Sequence, residues 1–382
     1  ARGAAPAGGR PPAAAAAGGD AIDADPVTQV FTDERAIAAS GSGESDAAEP
    51  GEVRSYDLGH VAAGTVVLDV DGAVSGTVLD LAGADLLDGD GGLADLGEHA
   101  GFRYVCRGGG PERFESSWAI GARHLPVAVR PPAGDGTPAS GPPIAGAVHE
   151  RPRPRPEGTT FTCSDPDLER IFAIGLRTVD LCAFDAYVDC PTREQRAWTG
   201  DAVVHQMVDL ATNPDWSVAR WHPQLTAVSR ADGMVPMAVA SDFAFEDRTT
   251  IPDWSLHWVR SVHNLWRYTG DRELIATLLP VAERTIRWFE PYRNAGGLLD
   301  GVSGWTLIDW ASVYSSGCSS ALNALWARAL EDLADMAAWP GNDGTAAWAR
   351  ERHAEVAGAF DAFWDDGRDR YVDHLVDGET VR

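Results

Sequence analysis

The spacing of apolar residues changes near residue 160. Before that point, apolar and polar positions alternate in short runs, as in Val66-Val67-Leu68-Asp69-Val70 and Gly76-Thr77-Val78-Leu79-Asp80-Leu81. A period of two marks half-buried strands, and Asp-Gly favours a tight turn. These runs therefore predict neighbouring strands joined at Asp71-Gly72. Phe102–Cys106 and Leu125–Val129 predict further strands, giving a β-sandwich over residues 51–131. Residues 132–158 are dense in Pro and Gly and include Arg151-Pro152-Arg153-Pro154-Arg155-Pro156. That composition predicts a stiff linker. Residues 1–50 open on an Ala-, Gly- and Pro-rich stretch and read as a low-complexity, disordered or loop segment. Pro6, Gly8, Gly9, Pro11 and Pro12 break it too often for the core of a signal peptide.

From residue 159 the period becomes helical. Asp165–Cys182 follows Ser164 as a cap, with Pro166 in the first turn. Leu168, Ile171, Phe172, Leu176 and Val179 recur on one face. Similar patterns over 201–212, 216–230, 253–268, 271–293, 317–338 and 344–364 predict about seven helices in antiparallel succession. Thr269-Gly270-Asp271 reads as a stop and restart between two of them. The change of period coincides with a change of composition. Of the 14 Trp, only Trp118 precedes residue 160. Trp266, Trp288, Trp326, Trp348 and Trp364 sit at helical spacing and read as core.

Composition narrows the function. A chain with 44% hydrophobic and 23% charged residues is that of an ordinary globular protein, and no run of 18 apolar residues suggests a membrane span. The formal charge is −26, from 31 basic and 57 acidic residues. Phosphate backbones and anionic membranes repel such a chain, so neither nucleic acid nor membrane is an expected partner. A neutral sugar meets no such objection. All the basic residues are Arg, which with the Ala and Gly excess points to a GC-rich genome. The five Cys are irregularly spaced, without a zinc pattern, and read as free thiols; this favours a reducing, cytoplasmic setting. The chain does not begin with Met, so secretion stays open. Phosphate-loop, dinucleotide-binding and metalloprotease patterns are absent, and the sequence implies no cofactor.

The densest polar cluster lies between two predicted helices: Asp189-Cys190-Pro191-Thr192-Arg193-Glu194-Gln195-Arg196-Ala197-Trp198-Thr199-Gly200-Asp201. Three carboxylates, two Arg and a Trp suit a sugar site. Carboxylates accept hydrogen bonds from vicinal hydroxyls, Arg donates, and an indole face packs on the apolar side of a sugar ring. Crowded carboxylates raise one another's pKa, whereas Arg193, Arg196 and the following helix N-terminus favour the ionised form. The residues alone leave that balance open, and equally fit a solvated surface loop with one core Trp.

This loop resembles the signature loop of the bacterial α-L-rhamnosidases, glycoside hydrolase family 78. Ile251-Pro252-Asp253-Trp254-Ser255-Leu256-His257-Trp258 and Gly304-Trp305-Thr306-Leu307-Ile308-Asp309-Trp310 are similar to two further stretches of that family. So is Ala321-Leu322-Asn323-Ala324-Leu325. The resemblance implies β-sandwich domains ahead of an (α/α)6 six-hairpin barrel and hydrolysis of terminal α-L-rhamnosides with inversion. It puts Glu194 at the general acid, Asp189 and Asp201 at carboxylates holding the rhamnose hydroxyls, and Arg193 in the same site. Trp198, Trp254 and one of Trp305 or Trp310 fall at aromatic walls, which suit the methyl group of a 6-deoxy sugar. Asp253 and Asp309 either contribute or cap their own segments, with the cap favoured for Asp253. His257 reads as a core or supporting residue.

The sequence departs from the family in one respect. Inversion needs a second carboxylate, which the resemblance puts at a Glu far downstream, and no residue up to Arg382 matches it. About seven of the twelve helices of a six-hairpin toroid are predicted. The expectation is thus a partial toroid whose general base lies beyond Arg382. The rivals are a rhamnose-binding or vestigial fragment without catalysis, and a six-hairpin glycosidase for another sugar.

Overall fold

The computed structural model describes residues 27–30, 33–36, 52–86, 101–132, 142–150, 155, 159–228, 230–239, 250–376 and 379–380. Its first part is organised on one long strand, β3 (Glu52–Val70). The first half of β3 lies between β2 (Asp33–Ala36) and β7 (Ile120–Arg130). Past a register shift between Asp57 and Ala62, its second half lies between β6 (Glu112–Glu115) and β8 (Ile144–Glu150). Beyond β8 comes β1 (Val27–Val30), and beyond β7 come β4 (Val78–Ala82) and β5 (Gly101–Val105). All these pairings are antiparallel and form one sheet, not the two of the expected sandwich. Val66, Leu68, Leu79, Leu81, Leu125, Val127 and Val148 share a single apolar core, so the sheet curls around its own buried face.

Three expectations change here. Asp71-Gly72 is not a hairpin turn joining neighbours, although Gly72 has a positive φ of 69°. Leu68 already pairs with Phe114 on one side and Gly146 on the other, so β3 has no edge left there, and β4 pairs with β5 and β7 instead. The stretch read as a linker contributes β8. The segment read as unordered contributes β1 and β2; the rest of residues 1–50 lies outside the described residues.

Seven α-helices follow among the described residues: α1 (Pro166–Leu181), α2 (Ala202–Thr212), α3 (Ser217–Leu225), α4 (Pro252–Thr269), α5 (Arg272–Arg287), α6 (Ser320–Ala338) and α7 (Asp343–Ala359). None is long and apolar enough to cross a membrane. The predicted segments at 216–230, 271–293 and 344–364 overrun α3, α5 and α7. Asp165, not Ser164, caps α1, accepting the Asp167 N–H. Gly270 adopts the left-handed conformation that ends α4, and Asp271 caps α5 through the Leu274 N–H. Val259, Val262, Leu278, Ile286, Leu330, Leu333 and Trp326 fill the helical core. Trp266, Trp288 and Trp348 pack half-buried against it, but Trp364 is exposed. On α1 the apolar face is buried only at Val179, and Leu168 and Ile171 face outward, because α1 meets its neighbour through its last turns. Short two- and three-residue pairings complete the chain: β9 (Ala197–Trp198) with β10 (Ala238–Val239), β11 (Cys318–Ser319) with β14 (His374–Val376), β12 (Trp364–Asp365) with β13 (Arg370–Tyr371), and β14 with β15 (Glu379–Thr380).

Candidate active site

The polar loop between α1 and α2 is closed by its own first carboxylate. The Asp189 N–H donates to the Arg196 carbonyl at 3.0 Å, and Asp189 Oδ1 accepts the Arg196 N–H at 2.9 Å. The strand β9 leaves this closure and pairs with β10, and the Thr199 hydroxyl donates to the Pro236 carbonyl at 2.6 Å. The curled sheet braces the loop from the other side. Gly121 N–H donates to the Pro191 carbonyl at 2.6 Å, and a Cβ on Gly121 would stand 2.6 Å from the Pro191 carbonyl carbon. Gln195 adopts a left-handed φ of 56°, held by its amide, which donates to the carbonyls of Pro191 and Ala119. Strained backbone of this kind persists only where its surroundings over-determine it.

Within this frame Glu194 is held by one oxygen. Trp198 Nε1 donates to Glu194 Oε2 at 2.9 Å, and Arg196 Nη1 lies 3.5 Å from the same atom. The exposed Arg193 brings Nη2 to 4.0 Å from Oε1. The Cys190 thiol links the two carboxylate positions: Sγ lies 3.2 Å from Asp189 Oδ2 and accepts the Glu194 N–H at 3.3 Å. The Trp198 ring meets Trp254 edge-on with 5.1 Å between centroids. Gly200 makes that packing feasible, since a Cβ there would lie 2.4 Å from Trp254 Cγ.

Asp201 stands just ahead of α2 but caps nothing with its side chain, and its Oδ2 is buried without a hydrogen-bond partner. Burial, reinforced by Asp189, Asp309 and Glu194, pushes its carboxyl up to about 7. Burial also raises Asp189, against the Arg196 N–H that favours its charged form. The balance that the residues left open is thus settled at Asp201 by desolvation and like charge over the helix terminus.

The third stretch joins the site through Asp253. This residue is fully buried and is not the cap of α4, whose N-cap position is Ile251 and has no side-chain cap. Its Oδ1 accepts the Leu307 N–H at 3.1 Å and its Oδ2 the Ile308 N–H at 3.0 Å. Burial raises its carboxyl to about 6. The Trp305 N–H donates to the Thr250 carbonyl at 2.8 Å. Leu307 packs with Met237, Ile251, Trp254 and the half-buried Trp198 in one small cluster, so three of the four family-like stretches meet there, all but Ala321–Leu325. Trp305 and Trp310 touch edge-on at 5.3 Å, and Trp310 is 76% exposed, an open surface instead of a closed wall. Asp309 lies within electrostatic reach of Asp201, Asp253 and His257. Burial keeps His257 below the usual histidine range.

The structure therefore groups Asp189, Glu194, Trp198, Asp201 and Trp254, leaves Arg193 at the rim, and puts Trp305 and Trp310 on an exposed loop. Sequence reasoning passed over Arg196 as the nearer cation to Glu194, Gly200 as the seat of Trp254, and Asp253 as a clamp. A glycine beside an aromatic-rich loop was the one visible signal among these.

Residues 156–378 match the model of the bacterial α-L-rhamnosidase six-hairpin glycosidase domain. The chain is similar to the GH78 rhamnosidase of Bacillus sp. GL1, with 26% identity, a TM-score of 0.74, and coverage of 85% of this chain and 33% of that one. A rhamnosidase from Klebsiella oxytoca with rhamnose bound shares the fold at 19% identity and a TM-score of 0.74, over 92% of this chain and 74% of that one. So does a Streptomyces avermitilis α-L-rhamnosidase complexed with L-rhamnose, at 23% identity and a TM-score of 0.63, over 93% and 33%. The chain spans about a third of the length of the Bacillus and Streptomyces proteins. No curated protein matches it.

Proposed function

The chain belongs to the bacterial α-L-rhamnosidase family of six-hairpin glycosidases, and from that premise we propose that its site takes a terminal, non-reducing α-L-rhamnosyl group and hydrolyses it with inversion. Glu194 is the general acid. Trp198 and Arg196 hold its Oε2, which leaves Oε1 to carry the proton to the leaving oxygen as the glycosidic bond breaks. Water then adds to the anomeric carbon from the opposite face and gives its proton to a second carboxylate, roughly 6.5–9.5 Å from the acid in inverting enzymes. The resemblance assigns that base to a Glu far downstream of the acid loop, and the loop itself supplies the acid and the sugar-holding carboxylates. Asp189 accepts from the sugar hydroxyls. Asp201, titrating at about 7, both donates and accepts near neutral pH. Arg193 at the rim and the wall of Trp198 and Trp254 complete the pocket, and one of the exposed Trp305 or Trp310 offers an apolar face to the 6-methyl group. The helices are the leading part of an (α/α)6 toroid.

The observation that carries this reading is the crowding of Asp189, Glu194 and Asp201 beside the Trp198–Trp254 pair, without an ion pair to Asp201 among the described residues. Two relatives crystallised with rhamnose support the sugar. The test is calorimetric titration with L-rhamnose, L-fucose and D-mannose, beside hydrolysis of an aryl α-L-rhamnoside by the wild type and Glu194→Gln. Selective L-rhamnose binding, with any turnover lost in Glu194→Gln, is expected. Rhamnose binding without turnover would leave a sugar-holding protein, and equal or absent binding of all three sugars would overturn the reading.

A further inference from the structure

We propose that Asp253 is a positioning residue of this site: by accepting the N–H groups of Leu307 and Ile308 it holds the turn that sets Asp309 against Asp201. The inference rests on the sugar-site reading above and adds to it a residue that touches no substrate.

The turn is the first ground. Ile308, Asp309 and Trp310 have φ of 48°, 46° and 61°, three successive non-glycine residues in the left-handed region. Each such residue costs backbone energy, and a β-branched Ile costs most. Something must hold the run, and the bond from the Ala311 N–H to the Ile308 carbonyl lies within it, not at its entry. What enters the turn is fixed instead: the two amides immediately before and at its first residue are both bound by one carboxylate, one to each oxygen. Charge-assisted hydrogen bonds in a dry setting are the strongest available for this purpose.

The second ground is the cost of the carboxylate itself. Asp253 is completely buried and lies near the like charge of Asp309. Asn would fill the same volume without that penalty, but would present only one acceptor to two N–H groups. The third ground is connectivity. The next residue, Trp254, packs on Trp198, whose indole N–H holds Glu194. The first turn of α4 therefore reaches both walls of the site, one through an aromatic contact and one through Asp253.

The test is a double-mutant cycle read on Asp201, followed by carboxyl-carbon NMR in the wild type, Asp253→Asn, Asp309→Asn and the double variant. Asp309→Asn is expected to lower the Asp201 midpoint in the wild-type background. In the Asp253→Asn background, where the turn has let go, it is expected to change nothing further. L-rhamnose affinity should fall about tenfold in Asp253→Asn, an effect of the size expected when one supporting contact is lost, with no further loss in the double variant. An unshifted Asp201 midpoint in Asp253→Asn, or additive shifts in the double variant, overturns the inference. Absence of rhamnose binding by the wild type would instead sink the sugar-site reading while the titration still decides the role of Asp253. Should Asp253→Asn fail to fold, amide exchange in the wild type decides: Leu307 and Ile308 are expected to exchange slowly beside an exposed loop, and fast exchange at both overturns the inference.

Discussion

Two aspartates eight residues apart bound the helix α2, and they are treated in opposite ways. Asp209, near its end, is fully buried with both oxygens engaged: Oδ2 accepts the Tyr187 hydroxyl at 2.6 Å and Oδ1 pairs with Arg155 at 3.2 Å. Arg155 also binds Asp180 at 2.7 Å, and His222 Nδ1 accepts the Tyr187 N–H at 3.2 Å. Asp201, at the beginning, has one buried oxygen with no hydrogen-bond partner among the described residues, and the charged neighbours that act on it most, Asp189, Asp309 and Glu194, are carboxylates. A protein stabilises a buried charge with a cation and a full set of hydrogen bonds, as at Asp209. Leaving a carboxylate short of both is unfavourable unless something that comes and goes, such as a sugar hydroxyl, completes it. On the proposed reading, Asp201 is the residue left to bind because the fold withholds these partners from it.

The largest effect expected from this contrast is on stability at Asp209. Asp209→Ala leaves the Tyr187 hydroxyl and Arg155 without their buried acceptor, and should lower the unfolding free energy by about 3 kcal/mol, the usual scale for removing one partner of a buried pair. Asp201→Asn in the same urea titration at pH 8 should be neutral or stabilising, because it removes an unsatisfied charge. Equal losses in the two variants would mean that both aspartates serve the fold and that the contrast is an illusion of geometry.

How much of this was legible differs by element. The period-two and helical runs located parts of β3, β4, β5 and β7 and the seven helices, because side-chain spacing is a local property. Pairing is not local. Nothing in Asp71-Gly72 shows that both edges of Val66–Val70 are taken by residues near 114 and 146. Nothing in a Pro- and Gly-rich stretch announced that Ile144–Glu150 would fill one of them. The acid loop was readable because its chemistry is contiguous, from Asp189 to Asp201. For Asp253 the sequence leaves a contribution to the site open but favours a cap, because its partners, Leu307 and Ile308, are backbone amides more than fifty residues away. Backbone donors carry no sequence signal.

The site end of α2 makes a second prediction. Gly200 lies against the face of Trp254, and a methyl group there would overlap the ring at 2.4 Å. Gly200→Ala should therefore push Trp254 off Trp198 and cost about 1–3 kcal/mol, as overpacking does. Near-UV circular dichroism should report the lost Trp–Trp contact. An Ala variant with an unchanged aromatic spectrum would show that the pair does not depend on this close approach.

The most gradual effect is the most direct measure of the contrast, because it isolates the Asp201 proton. The Asp201 carboxyl is raised to about 7 from an ordinary 3.8, so the folded protein keeps a proton that the unfolded chain loses between those values. Its contribution to stability is complete below about pH 4, is lost as pH rises towards 7, and changes no more above that. Asp201→Asn abolishes this loss. The stability of the variant relative to the wild type should thus climb between pH 4 and 7 and then level, with a slope of at most about 1.4 kcal/mol per pH unit, reduced by the solvent that reaches a partly exposed group. His205 and His222, held by burial to about 4 and about 3, impose the opposite slope as pH falls below the usual histidine range. They act in both proteins and cancel in the difference. Urea midpoints for the pair at pH 4.5, 5.5, 6.5 and 8 are sufficient. Parallel curves would show that Asp201 is ionised like any exposed carboxylate, and the two ends of α2 would then differ in packing but not in charge.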